Sequence, residues 1–195
     1  MWSDYVCPWA YLGRDRTRLM RDLGLEVTVL PYELHPEIPK DGIEVRPGGR
    51  LDRVFTQIGQ ECATLGIPFA APPRSRSSRL ALETVEVVRA RWPEAYDSLD
   101  EALARAYWVE GGDVSSWPEV AVHVAAAGAP PDDVFALLAD GVGTAAVTAS
   151  MNAARERGVS ATPAWWVNDS LLIPGAQPRE AIERWVTRLL AKEAG

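Results

Sequence analysis

Ten residues near the N-terminus concentrate the reactive chemistry: Asp4-Tyr5-Val6-Cys7-Pro8-Trp9-Ala10-Tyr11-Leu12-Gly13. Cys7 is one of two cysteines in the 195-residue chain, the other being Cys62. Pro8 suits the first position of a helix, and Leu12, Leu19, Met20 and Leu23 recur at helical spacing, so residues 8–23 are expected to be helical. A thiol just ahead of that helix faces N–H groups without intrahelical partners and the positive end of the helix dipole. Both favour the thiolate, so the pKa of Cys7 is expected to fall below about 8.5. The chemistry this allows is nucleophilic attack by sulfur. A dithiol redox site would carry its second thiol three residues later, where this chain has Ala10. The alternative for Cys7 is a small buried apolar residue, as cysteine often is.

The elements that must position Cys7 follow along the chain. Residues 25–34 are rich in β-branched residues and read as a strand with a proline at its end. Residues 36–50 hold three prolines and three glycines and read as a loop. Helical spacing then predicts helices over 51–65 and 78–91, around Leu99, Leu103 and Tyr107, after a Ser116 cap, and over 130–139 and 144–157. Residues 162–175 form two short apolar runs around Asn168-Asp169, a hairpin signal. A last helix is expected over 178–192, with Ile182, Trp185, Val186, Leu189 and Leu190 on its apolar face. A β-α-β half and a β-β-α half separated by helices describe an α/β protein: a thioredoxin-like fold with a large all-helical insertion. The expected division is 1–36 with 155–195 for the thioredoxin-like domain, and 37–154 for the insertion. In such a fold the residue before a cis-proline at the head of the hairpin lies beside the reactive sulfur, so Thr162 and Pro163 join Cys7 as candidates. An ordinary strand-initial proline is the alternative.

Composition narrows the classes. The net charge is -7, which disfavours nucleic acid and anionic membranes as partners. No apolar run approaches the roughly 18 residues of a membrane span. No basic and then apolar leader pattern opens the chain, so a cytoplasmic location is expected. Two cysteines do not make a disulfide scaffold, and no zinc-type spacing, P-loop, dinucleotide fingerprint or hydrolase elbow occurs, so no metal is expected. His35 and His123 read as a loop residue and a packing residue. Among the eight tryptophans, Trp9 and Trp166 are expected close to Cys7 and Pro163.

Ser3-Asp4-Tyr5-Val6-Cys7-Pro8-Trp9-Ala10-Tyr11-Leu12-Gly13 resembles the active-site segment of the DsbA family, and most of all its FrnE-like branch. Residues 31–39 resemble the segment after that family's second strand, and residues 158–178 its cis-proline strand, hairpin and Gly-Ala-Gln turn. The resemblance implies a thioredoxin fold with a helical insertion and Cys7 as the attacking thiol. Pro8, Trp9, Ala10, Thr162 and Pro163 would then contact the bound thiol. A strand precedes Asp4 in the family; a short one over residues 2–5 is expected here. Ala10 departs from the family's second cysteine, so an adduct on Cys7 would wait for an external thiol. Ala10-Tyr11-Leu12 is similar to kappa-class glutathione transferases and 2-hydroxychromene-2-carboxylate isomerases, which carry serine where Cys7 stands.

The expected function is therefore a DsbA-type thiol-disulfide oxidoreductase using one cysteine. No tightly bound cofactor is expected; glutathione or another low-molecular-weight thiol is the expected co-substrate. Partners would be small-molecule thiols or disulfides, or protein disulfides, and the protein a monomer or homodimer. Two alternatives stand beside it. One is a glutathione-dependent transferase or isomerase acting on a small aromatic or polyketide-like molecule. The other is a redox-inactive binding module.

Overall fold

A computed structural model describes residues 1–193. Ala194 and Gly195, the last two residues of the expected C-terminal segment, lie outside the described residues. The elements run β1 (Trp2–Ser3), α1 (Pro8–Asp22), β2 (Leu30–Pro31), β3 (Ile43–Glu44), α2 (Arg50–Leu65), β4 (Arg74–Ser75), α3 (Arg79–Arg91), α4 (Pro93–Arg105), α5 (Trp117–Ala126), α6 (Pro131–Ala139), α7 (Val142–Glu156), β5 (Ala164–Val167), β6 (Leu171–Pro174) and α8 (Arg179–Glu193). The main sheet has the order β2-β1-β5-β6, with β1 parallel to β2 and antiparallel to β5. Strands β3 and β4 pair separately as a small antiparallel ribbon. This is the thioredoxin-like fold with a helical insertion that the element order implies.

Two strands are shorter than expected. β1 covers Trp2 and Ser3 rather than residues 2–5, and only Leu30 and Pro31 of the expected strand 25–34 join the ladder. The cause is mutual: β2 pairs only where β1 faces it, Trp2 opposite Leu30 and Ser3 opposite Pro31. The β5–β6 hairpin turns at Asn168 and Asp169, both with positive φ, a conformation their short polar side chains tolerate.

Helix α1 carries the sulfur and has three working faces. Leu19 and Met20 pack with Trp165, Ile173, Ile182 and Val186, joining the helix to the hairpin and α8. Leu12 is fully buried against Ile58 and Cys62 of α2, a burial contributing about 2 kcal/mol. Ala10 and Arg14, one turn apart, face the insertion. Most of the insertion is one core, in which α3 packs on α4 and α7. Gly143 permits the α3–α7 approach, because a Cβ there would come within 2.7 Å of the Glu83 Cβ. At the end of α4 the chain widens into a π-helical turn, Ala106–Glu110. That turn sets Trp108, 1% exposed, in a three-ring cluster with Tyr11 and Phe69, whose ring centroids lie 5.6 and 5.5 Å from it and 6.3 Å from each other. On α8, Ile182 and Val186 are buried as expected, but Trp185 is 38% exposed and not part of the packed face.

Gly13 is the tightest point between α1 and the hairpin: a Cβ there would lie 2.8 Å from the Pro163 Cγ. Gly13→Ala is expected to destabilise the protein by about 1–3 kcal/mol through overpacking, read as a fall in thermal midpoint. An unchanged or raised midpoint would show that the helix can back away from Pro163 at no cost.

Candidate functional site

The antiparallel register brings the sulfur to its partner. Trp2 faces Ala164, so the turn that leaves β1 at Asp4 approaches the residue that enters β5, Thr162. Cys7 is the N-cap of α1, Pro8 follows at the first helical position, and Tyr11 N–H donates to the Cys7 carbonyl at 3.0 Å. The Cys7 S–H donates to the Thr162 carbonyl at 3.3 Å. The Thr162–Pro163 bond is cis, and both residues are buried. Of the sequence candidates, Cys7, Thr162 and Pro163 therefore meet at one point. Ala10, 1% exposed, turns toward the insertion. Trp9 is half-buried against the cluster of Leu12, Ile58 and Cys62 on α2. Trp166 does not join them: it packs with the Trp2, Ala154 and Val159 cluster, and the Arg157 guanidinium lies 5.9 Å from its ring centre. His35 is an exposed loop residue paired with Glu37 at 2.9 Å.

The electrostatics of Cys7 differ from the sequence expectation. The residue is 4% exposed, and burial pushes its pKa above that of an ordinary thiol. The Thr162 side chain and the N–H groups of Ala10 and Trp9 pull the other way, while Asp4 adds to the rise. Desolvation of a charged sulfur thus outweighs the helix N-terminus. The resting residue is a protonated thiol. A carbonyl can only accept, so the bond to Thr162 also holds the proton on sulfur.

Asp4 organises the turn from below. It is 2% exposed, takes the Val6 N–H at 3.2 Å and the Leu34 N–H at 2.7 Å, and is bonded by the Ser78 side chain. Burial raises its pKa despite those donors. Ser78 heads the helix expected over 78–91 and is the N-cap of α3; no spacing signal pointed from it to Asp4. Buried Glu33 pairs with Arg79 beside it. The second cysteine takes no part. Cys62 is fully buried on α2, its pKa pushed up to about 11 mainly by burial, and both cysteines are free thiols. Among the described residues no cluster of His, Cys, Asp and Glu could hold a metal ion, and no single helix is long and apolar enough to cross a membrane.

Replacing the Asp4 carboxylate by an amide removes a negative charge that opposes the Cys7 thiolate. Asp4→Asn is therefore expected to lower the pH midpoint of Cys7 alkylation, and also the thermal midpoint, since the amide nitrogen cannot accept an N–H. An unmoved or raised alkylation midpoint would show that Asp4 does not act on the sulfur.

Comparison with known proteins places this geometry in a family. No curated protein sequence matches the chain. Solved structures share its fold at low identity. A probable DsbA oxidoreductase from Streptomyces coelicolor superposes with a TM-score of 0.82 at 24% identity, over 97% of this chain and 88% of that one. The cytosolic disulfide reductase DsbM from Pseudomonas aeruginosa, solved with GSH, gives 0.66 at 18% identity, over 96% of each chain. A 2-hydroxychromene-2-carboxylate isomerase gives 0.69 at 20% identity, over 99% of this chain and 96% of that one. The DSBA-like thioredoxin domain model matches residues 1–186, and the chain belongs to that family.

Proposed function

We propose that the protein is a thiol-disulfide oxidoreductase that works through Cys7 alone and relies on an external low-molecular-weight thiol, glutathione being the simplest, to complete its cycle. The observation that carries this reading is the placement of one thiol, Cys7, at the helix N-terminus against Thr162 and Pro163, with Ala10 where a partner thiol would stand.

The cycle balances without a cofactor. Cys7 loses its proton and its sulfur attacks one sulfur of a disulfide; a Cys7–substrate disulfide forms, the substrate bond breaks, and the departing thiolate takes up the proton. The external thiol, as its thiolate, then attacks the substrate sulfur of that adduct. Cys7 returns as a thiol, and the substrate leaves as a mixed disulfide with the external thiol. A substrate strand docking on the Thr162 backbone competes for the carbonyl that holds the Cys7 proton, which couples binding to release of the sulfur. By this reading Pro8, Trp9 and Ala10 border the bound thiol on one side, and Thr162 and Pro163 on the other.

A glutathione-dependent transferase or isomerase would need a chamber for two ligands between the domains. Two cavities between α1 and the insertion, about 20 Å³ behind Ala10 and about 250 Å³ beside Tyr11 and Leu65, are not lined by Cys7, which favours the oxidoreductase. Burial of Cys7 is the observation that favours a redox-inactive binding module.

Alkylation of Cys7 across pH, read by intact mass on a Cys62→Ala background with and without glutathione, separates the three. The expected result is a midpoint above about 8.5 and one glutathione adduct after mild oxidation, removed by excess thiol. Protection by glutathione without an adduct would replace this reading with the transferase or isomerase. No reaction and no adduct would leave the binding module.

Ala10→Cys provides the complementary gain of function. The residue borders the water-sized cavity, which can take up a sulfur. The variant is expected to form a disulfide between Cys7 and the introduced thiol, and to shorten the lifetime of the Cys7 adduct by at least about tenfold, because the resolving thiol is now intramolecular. An adduct that persists unchanged would show that position 10 cannot reach the sulfur.

A further inference from the structure

The helical insertion grips the reactive turn through one carboxylate. Asp100 lies on α4, and its Oδ1 accepts the Tyr5 hydroxyl at 2.6 Å. The same carboxylate is held in a two-pronged pair by Arg14, whose Nη1 and Nη2 donate at 3.2 and 2.6 Å. Tyr5 stands two residues before Cys7 and Arg14 seven after it, so Asp100 holds both arms of the segment that presents the sulfur. The pair is largely shielded, each side chain 15% exposed. Tyr5 is held a second time, because the Trp108 indole N–H donates to its carbonyl at 2.7 Å.

The surroundings keep Asp100 charged. Burial alone would raise its pKa, but the Arg14 charge and bonds, the Tyr5 hydroxyl and Arg89 outweigh that and hold it below the usual carboxylate range. From α3 come Arg89 and Glu86, paired at 3.1 Å, and from α4 itself Tyr96, whose hydroxyl accepts from Arg89 at 2.7 Å, and Glu101, which meets Arg14 at 3.1 Å. Asp4 is the charged group that acts on Cys7 itself.

We propose that Asp100 is a positioning residue for Cys7: from the insertion it clamps Tyr5 and Arg14 and so keeps the sulfur covered in the resting protein. The inference rests on the reading of Cys7 as the reacting thiol. A clamp that holds the turn shut sets two properties of the sulfur, how often it opens to solvent and how far its charged form is desolvated. Releasing it lets the turn open, so both the reactivity and the acidity of Cys7 rise together.

The test uses the full chain on the Cys62→Ala background, with iodoacetamide as probe and temperatures well below each variant's unfolding. Tyr5→Phe removes one hydroxyl and leaves the Arg14–Asp100 pair intact. Asp100→Asn keeps an acceptor for Tyr5 and removes the charge. The plateau alkylation rate is expected to rise in Tyr5→Phe by about tenfold, as for loss of one hydrogen bond to a charged group. The pH midpoint is expected to fall, because burial is what raised it. The double variant is expected to exceed the larger single effect by less than the sum, as for residues on one path. Ile182→Val in α8 is the control: it should lower the thermal midpoint and leave the Cys7 profile in place. If wild-type Cys7 reacts and Tyr5→Phe and Asp100→Asn repeat its plateau and midpoint while losing stability, the clamp is structural only and the inference fails. If Cys7 reacts in none of them, the reading of Cys7 itself fails.

Discussion

The contact between the Cys7 sulfur and the Thr162 carbonyl, residues 155 apart in the chain, is the constraint on which the rest depends. Register produces it: with Trp2 opposite Ala164 in an antiparallel pair, the turn after β1 must arrive where β5 begins. Gly13 then lets α1 settle against Pro163. The insertion between the two halves has to return the chain to the same edge of the sheet. The entropy of closing so long a loop grows only slowly with its length, and a compact helical core reduces the freedom left to lose. The insertion is thus tolerated by the sheet, and its inner face becomes one wall of the reactive turn.

At that turn two physical effects oppose each other. The helix N-terminus and its N–H groups favour a thiolate, as they do wherever an anion meets unpaired donors. Burial disfavours it, and here burial prevails, aided by Asp4. The difference lies in solvent access. The dipole effect belongs to the backbone and is present in any sequence with a cysteine at the N-cap. Desolvation depends on what packs over the sulfur, which is a property of the tertiary structure.

That division explains what the sequence could tell. Helix boundaries, the hairpin at Asn168-Asp169, the cysteine at a helix start and the Thr-Pro pair were all legible, because each follows from local spacing or from a residue with restricted backbone freedom. The strand over residues 25–34 was not, since only the two residues that face β1 join the ladder. Trp166 was misplaced because its nearness to Pro163 along the chain does not say which cluster its side chain joins, here that of Trp2, Ala154 and Val159. Asp100 gave no signal at all. In its helix it reads as one more charged residue beside an apolar stripe, and only the three-dimensional meeting of α1 with α4 shows it bonded to Tyr5 and Arg14. The Ser78 approach to Asp4 was hidden for the same reason, at the head of a helix whose spacing says nothing of Asp4.

Ala10 ties these threads together. It shares a helical face with Arg14, one turn away, and that face meets the insertion. A second sulfur at position 10 would sit in the same seam, next to the Arg14–Asp100 pair. With alanine there, the seam carries a methyl group beside the Arg14–Asp100 pair. The seam then serves packing and restraint, while the Cys7 S–H bonds to the Thr162 carbonyl. In a dithiol site the rate of resolution is set by two sulfurs on one helix turn. Here it would be set by how often a covered thiol opens and how much external thiol is present when it does. On that reading control would move from the spacing of the motif to the fit between α1 and the insertion, where Asp100 meets Tyr5 and Arg14.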